Sequence, residues 1–183
     1  MVLDSAVSRF STLKGTRGSR EETATFMPEL PDIVVYIEAL KSRIQNQRLV
    51  DIRVVSPFAL RSVSPSSSLL IGREVLAVNR MGKRIVFTLE DDLFVVLHLM
   101  IAGRLQWKEP QAQIPGKAGL VAFDFQSGTL IVTEAGPRKR AAVHFVHGKD
   151  ALAALDYGGL EVQGCSLDAF RSALQAENHT VLA

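Results

Sequence analysis

Cysteine occurs once in 183 residues, at Cys165, so the chain can form no internal disulfide and no cysteine-based zinc cluster. Any metal would have to be held by carboxylates and the four histidines. Long apolar runs are missing too. The longest, 93–102, is broken by His98 and is about half the roughly 20 residues that a membrane-spanning helix needs. A surplus of one charge is also lacking, since 21 basic and 19 acidic residues leave a net +2, too mild to announce a polyanion partner by its sum. What remains is an ordinary composition, 47% apolar and 22% charged, which excludes fibrous, collagen-like and wholly disordered chains.

Residues 1–26 carry few apolar positions and no periodicity, the pattern of a flexible extension. Arg9, Lys14, Arg17 and Arg20 among serines and threonines sketch an organelle-targeting segment, but Asp4, Glu21 and Glu22 spoil it, and Met27 would serve as the start of a complete domain. From Pro31 the spacing Ile33, Ile37, Leu40, Ile44 predicts a helix to about Asn46, with Pro31 in its first turn and Asp32 at the positive end of its dipole. Eight β-branched or aromatic segments follow: 49–55, 74–79, 84–89, 93–99, 104–107, 120–125, 129–133 and 142–146. The polar breaks at 90–92 and 126–128 read as hairpins, so neighbouring strands should pair antiparallel. Ser64–Ser68 and Glu109–Gly119 read as loops. Helical spacing returns at Ala151, Leu152, Leu155, and at Leu167, Phe170, Leu174 behind Ser166 as N-cap. The fold class is therefore α+β and mainly β: an eight-stranded antiparallel β-sandwich over 27–164 with an N-terminal helix, and C-terminal helices of which the last, in 165–183, opens a helical module.

Basic residues gather in two clusters at strand edges, Arg80, Lys83, Arg84 and then Arg138, Lys139, Arg140, which could face one polyanion. The histidines say less. His144 and His147 lie three apart on a strand and point to opposite faces, so they cannot share a metal, and His98 in an apolar strand reads as a satisfied core residue. His179 lies near the chain end.

The segment Met27-Pro28-Glu29-Leu30-Pro31-Asp32 resembles the start of the formamidopyrimidine-DNA glycosylase and endonuclease VIII family of base-excision repair enzymes. Arg80-Met81-Gly82-Lys83-Arg84 resembles that family's lysine-bearing hairpin, and the stretch from His98 to Leu105 its loop that probes the DNA stack. The resemblance implies a DNA glycosylase with AP lyase activity on damaged double-stranded DNA, working as a monomer, with no cofactor in this chain, since the zinc of full-length relatives finds no ligands here. A cytoplasmic location, on the nucleoid if the source is bacterial, goes with it, and no membrane partner.

Chemistry supplies independent reason for these residue types. A terminal proline is a secondary amine that titrates below lysine, so Pro28, once freed, is a nucleophile at neutral pH. Glu29 would move protons at the sugar, and Lys83 would hold a phosphate as a point charge. Each also has a plainer reading: prolines and a carboxylate rigidify and favour a helix start, and a lysine after glycine is a solvated hairpin residue. Arg80 and Arg84 would line the DNA. Met100 or Ile101, with Ile101 at the position of the family's methionine, would wedge into the space left by a flipped nucleotide, or else both are strand-end core residues. Arg138, Lys139 and Arg140 would reach phosphates or the orphaned base, or form a solvated charge run; Ala141 stands where the resemblance leads one to expect phenylalanine. Two departures bear on activity. As numbered, Pro28 is internal, and its amide nitrogen has no nucleophilic lone pair. The chain also stops where the family's helix-two-turns-helix and zinc-finger modules would begin, so DNA binding should be weak and salt-dependent. A non-catalytic β-sandwich that binds DNA or a protein through the same basic edge is the alternative.

Overall fold

The computed structural model describes residues 27–156, 160–161 and 164–176. The extension 1–26 and His179 lie outside the described residues. Helix α1, Leu30–Ile44, buries Ile33, Tyr36, Ile37, Leu40 and Ile44, the stripe that its spacing predicts. Its start is closed by a capping box, in which Glu29 N–H donates to Asp32 Oδ2 at 2.9 Å and the Glu29 side chain accepts from the Asp32 backbone. The helix ends sooner than the pattern suggests, because Asn46 turns the chain at φ 62°.

Eight strands follow: β1 Asp51–Val54, β2 Val75–Met81, β3 Arg84–Leu89, β4 Leu93–His98, β5 Gly103–Lys108, β6 Gly119–Phe125, β7 Gly128–Glu134 and β8 Ala142–His147. They form two four-stranded sheets, ordered β1-β6-β7-β5 and β2-β3-β4-β8, with every pairing antiparallel. The expected sandwich and both hairpins are thus present. The inner faces join α1 in a single core that includes Phe87, Phe123 and Phe145, and Phe87 meets Phe123 edge-on at 6.0 Å. Outside the second sheet, Val86, Phe94, Val96 and Val146 are covered by Leu152 and Leu155 of the segment that includes α3, Lys149–Ala153.

Two short elements go beyond the sequence reading. The segment 64–68 is not all loop, because Ser67–Leu70 forms the one-turn helix α2 and buries Leu70; a single turn is too short for periodicity to register. A 3₁₀ turn at Pro57–Ala59 buries Ala59. The last described helix, α4 at Leu167–Ala176, is capped as expected, with Ala169 N–H donating to Ser166 Oγ at 3.1 Å.

Polar groups inside the sandwich are paired. Asp124, on β6, is buried and takes two hydrogen bonds from Arg53 of β1, from Nε at 2.6 Å and Nη2 at 2.8 Å. Thr129 of β7 donates to the same carboxylate. The Asp124 bond raises the already high pKa of Arg53, against the smaller opposing effect of burial.

Candidate nucleic-acid interface

Strand register decides which connections share an end. In the second sheet, Met81 faces Arg84 across the β2–β3 turn, Arg84 faces His98, and His98 faces Ala142. In the first sheet, Gly103 faces Glu134, and Gly119 faces Thr133. The β2–β3 turn, the β4–β5 crossover at 99–102 and the β7–β8 loop at 135–141 therefore meet at one end of the sandwich. The start of α1 joins them, because Lys83 Nζ lies 2.6 Å from Glu29 Oε2.

There an open cleft of about 170 Å³ is lined by Pro28, Glu29, Lys83, His98, Met100 and Ile101, among others. Pro28 is buried, while Glu29 and Lys83 are half exposed. The Glu29 carboxylate thus bridges the first turn of α1 and the hairpin ammonium. Lys83 follows Gly82, whose φ of 56° lets the two-residue turn close.

Met100 and Ile101 are not strand-end core residues. Both are half-buried in the crossover turn, with Met100 at φ 55°, and the core position beside them is taken by Leu99. A tight loop closes the turn, as Gly103 N–H donates to Leu99 O at 2.9 Å. A Cβ on Gly103 would stand 2.3 Å from that same oxygen, closer than atoms allow. Gly103→Ala should therefore lower stability by about 1–3 kcal/mol in thermal melts and displace Met100 and Ile101. A variant melting like the original chain would contradict this geometry.

His98 also departs from expectation. It is half-exposed at the end of β4 and lines the cleft rather than the core. Partial burial, then the positive charge of Arg84, His144 and Lys83, keeps its pKa below the ordinary histidine value. His144, on the same outer face of β8, is depressed by burial, Arg84 and Arg61. In the unfolded chain both titrate near 6.5, so as pH falls through that value the unfolded state takes up protons that the folded state resists. The stability conferred by these groups is thus whole above the unfolded pKa and lost progressively below it. Melting temperature should fall between about pH 7 and pH 5.5, and the double variant His98→Gln, His144→Gln should flatten that slope.

The basic residues divide into two sets. Arg80 forms an ion pair with Glu161 at 2.5 Å and donates to Gly82 O at 3.0 Å; Arg84 donates to Leu155 O; Lys139 donates to Glu134 O. These three, expected on DNA, bind the chain's own backbone or carboxylates, because folding brings acceptors from distant segments to them. Arg138 and Arg140 are exposed and make no ion pair among the described residues. Their loop is pinned by Glu134, whose buried Oε2 accepts from Arg140 N–H at 2.7 Å and Ala141 N–H at 2.9 Å. The sequence reading missed Glu134; its one signal was a carboxylate ending an apolar strand. Ala141 is buried in the core, so an aromatic at that residue would not project from the loop. Among the described residues no group of three or more His, Cys, Asp or Glu is placed to hold a metal.

The chain is thus a two-sheet antiparallel sandwich whose one end joins a helix start, a hairpin lysine and an arginine-bearing loop. The comparisons narrow this. A family model described as the formamidopyrimidine-DNA glycosylase N-terminal domain matches residues 27–143, so the chain belongs to that family. It is 33% identical over 164 residues to a formamidopyrimidine-DNA glycosylase of Variovorax paradoxus, covering 85% of this chain and 57% of the relative. It is 32% identical over 104 residues to that of Mycoplasma pneumoniae, covering 56% and 38%. The Lactococcus lactis Fpg structure in complex with abasic-site DNA superposes with a TM-score of 0.62 at 23% identity, over 69% of this chain and 46% of that one, which shows the same fold. The chain thus spans 38% to 57% of these curated relatives.

Proposed function

We propose that this chain is the catalytic lobe of a base-excision DNA glycosylase with an associated lyase step, acting on damaged double-stranded DNA through residue 28. The observation that carries the reading is the convergence of Pro28, Glu29 and Lys83, the last 54 residues beyond Glu29, on one cleft. In the first step the freed Pro28 nitrogen attacks C1′ of the damaged nucleotide, the C1′–N bond to the base breaks, and the base leaves with its electron pair and a proton. Glu29 would carry that proton traffic at the sugar, a role supported by its place on the cleft beside Pro28. The nitrogen lone pair then expels O4′, which takes up a proton from Glu29 as the C1′–O4′ bond breaks and the sugar ring opens to a C1′ iminium; loss of a C2′ proton into this electron sink breaks the C3′–O bond and releases phosphate. Lys83 would hold a phosphate of the lesion strand, trading its present Glu29 partner for the anion, a role supported by its half-exposed ammonium at the cleft. Met100 and Ile101, half-buried in the crossover turn, line the same cleft, which supports one of them as the side chain that fills a vacated base position. The chemistry requires residue 28 to be N-terminal. Borohydride trapping on an abasic-site oligonucleotide tests it.

A further inference from the structure

Phe58 is 81% exposed, although it belongs to a well-anchored segment. Val55 and Ser56 N–H both donate to Leu120 O, at 2.9 and 3.0 Å, and Ala59 and Leu60 N–H close the turn on Ser56 O and Pro57 O, at 3.0 and 3.2 Å. Pro57 stiffens it, and Ala59 is buried beneath it. Beyond the turn, Leu60 bridges Val143 and Arg61 N–H donates to Val143 O at 2.8 Å. An aromatic ring held in water by so many backbone contacts is a preorganised contact surface.

Register fixes where this ring stands. Val54 pairs with Val121, so β1 ends at the same end of the sandwich as Gly119 and Thr133. Val143 follows Ala142, the partner of His98. The Pro57–Ala59 turn therefore spans from the open edge of the first sheet, β1, to the open edge of the second, β8, at the end that holds the cleft. The exposed Arg138 and Arg140 lie on the loop that enters β8, and the exposed Arg61 follows the turn; none of the three makes an ion pair among the described residues. Along the second sheet Lys83 belongs to the β2–β3 turn, while Phe58 sits by β8, two strands beyond β3. Two strand spacings are roughly 10 Å, comparable to the roughly 12 Å width of a major groove.

We infer that Phe58 is a stacking platform for the DNA strand opposite the one held at Pro28 and Lys83, with Arg61, Arg138 and Arg140 supplying phosphate contacts around it. The inference rests on the DNA reading above. It adds a contact that no basic cluster or motif in the sequence marks, and it supplies an aromatic where the 135–141 loop has none. Base–aromatic stacking tolerates any base, so this contact would add affinity and hold the intact strand while the damaged one is opened, without reading sequence.

The test uses the 183-residue chain and its Phe58→Ala, Phe58→Tyr and Phe58→Leu variants. Affinity for a duplex with one abasic site is measured by fluorescence anisotropy, and 2-aminopurine opposite that site reports stacking. Phe58→Ala should bind roughly tenfold more weakly and lose the 2-aminopurine quenching, Phe58→Tyr should restore both, and Phe58→Leu should restore neither. The inference is overturned if Phe58→Ala binds as tightly as the original chain, if Phe58→Leu rescues as well as Phe58→Tyr, or if Phe58→Ala merely converts a dimer to a monomer at unchanged DNA affinity. In those cases the original chain still binds the duplex, and the catalytic reading stands. Failure of the original chain to bind abasic DNA at all overturns both.

Discussion

A chain whose first residue is Pro28 is expected to be captured covalently by borohydride on an oligonucleotide carrying an abasic site, and the same chain with residues 1–27 attached is not. The contrast is electronic. A terminal proline nitrogen keeps its lone pair and forms an iminium with C1′, which hydride reduces to a stable C1′–N bond; an acylated proline nitrogen has given that lone pair to the carbonyl. Pro28→Gly should lower the trapping rate by roughly a hundredfold or more, because a flexible primary amine loses both the secondary-amine chemistry and the fixed placement of the ring in the cleft. Lys83→Ala should also weaken capture, by removing the phosphate contact, and should leave Glu29 without the ammonium it now meets at 2.6 Å. Adduct mass measured by intact-protein spectrometry reads all four chains. Full-rate strand cleavage by the chain that retains residues 1–27 would end this mechanism, and duplex binding without any adduct would leave the non-catalytic sandwich as the better account.

The second large effect is on stability. Asp124→Ala should cost about 3 kcal/mol, roughly a 10 °C fall in Tm, because Arg53 and Thr129 would keep their donors aimed at a vanished acceptor inside the first sheet. Part of the Arg53 head remains solvated and also donates to Ala112 O at 2.9 Å, which keeps the loss below that of a fully buried pair. Adding Arg53→Met to Asp124→Ala should recover part of the loss, since removing both partners leaves fewer buried groups unsatisfied than removing one. Chemical denaturation of the single and double variants measures this. Equal losses in the single and double variants would show that Arg53 was not the group left stranded.

The cationic end shows how the two levels of information differ. Lys83 and Pro28 were readable because a glycine turn and a proline-bounded helix start are local patterns, and the basic clusters because charge needs no fold to be counted. The fates of Arg80, Arg84 and Lys139 were not readable, since Glu161 and the carbonyls of Leu155 and Glu134 come to them only through folding. His98 was misjudged for a related reason. An apolar strand predicts a buried neighbour at each step, but His98 is the last residue before the crossover, where the sandwich opens into the cleft. Phe58 gave no signal, because one aromatic behind a proline is as common in a covered loop as in an exposed one.

By itself the sequence determined the helix, the eight strands and their antiparallel hairpins, because burial faces repeat every 2 or 3.6 residues and every backbone amide seeks a near partner. Only the tertiary structure decided that the helix start, one hairpin, one crossover and one basic loop meet at a single end, and which of their charges stay open to a ligand. That outcome depends on strand order and register between segments up to 83 residues apart, as in Ser62 beside Phe145 and Asp51 beside Asp124. Such pairings are set by the packing of whole sheets against one another, which no local pattern contains.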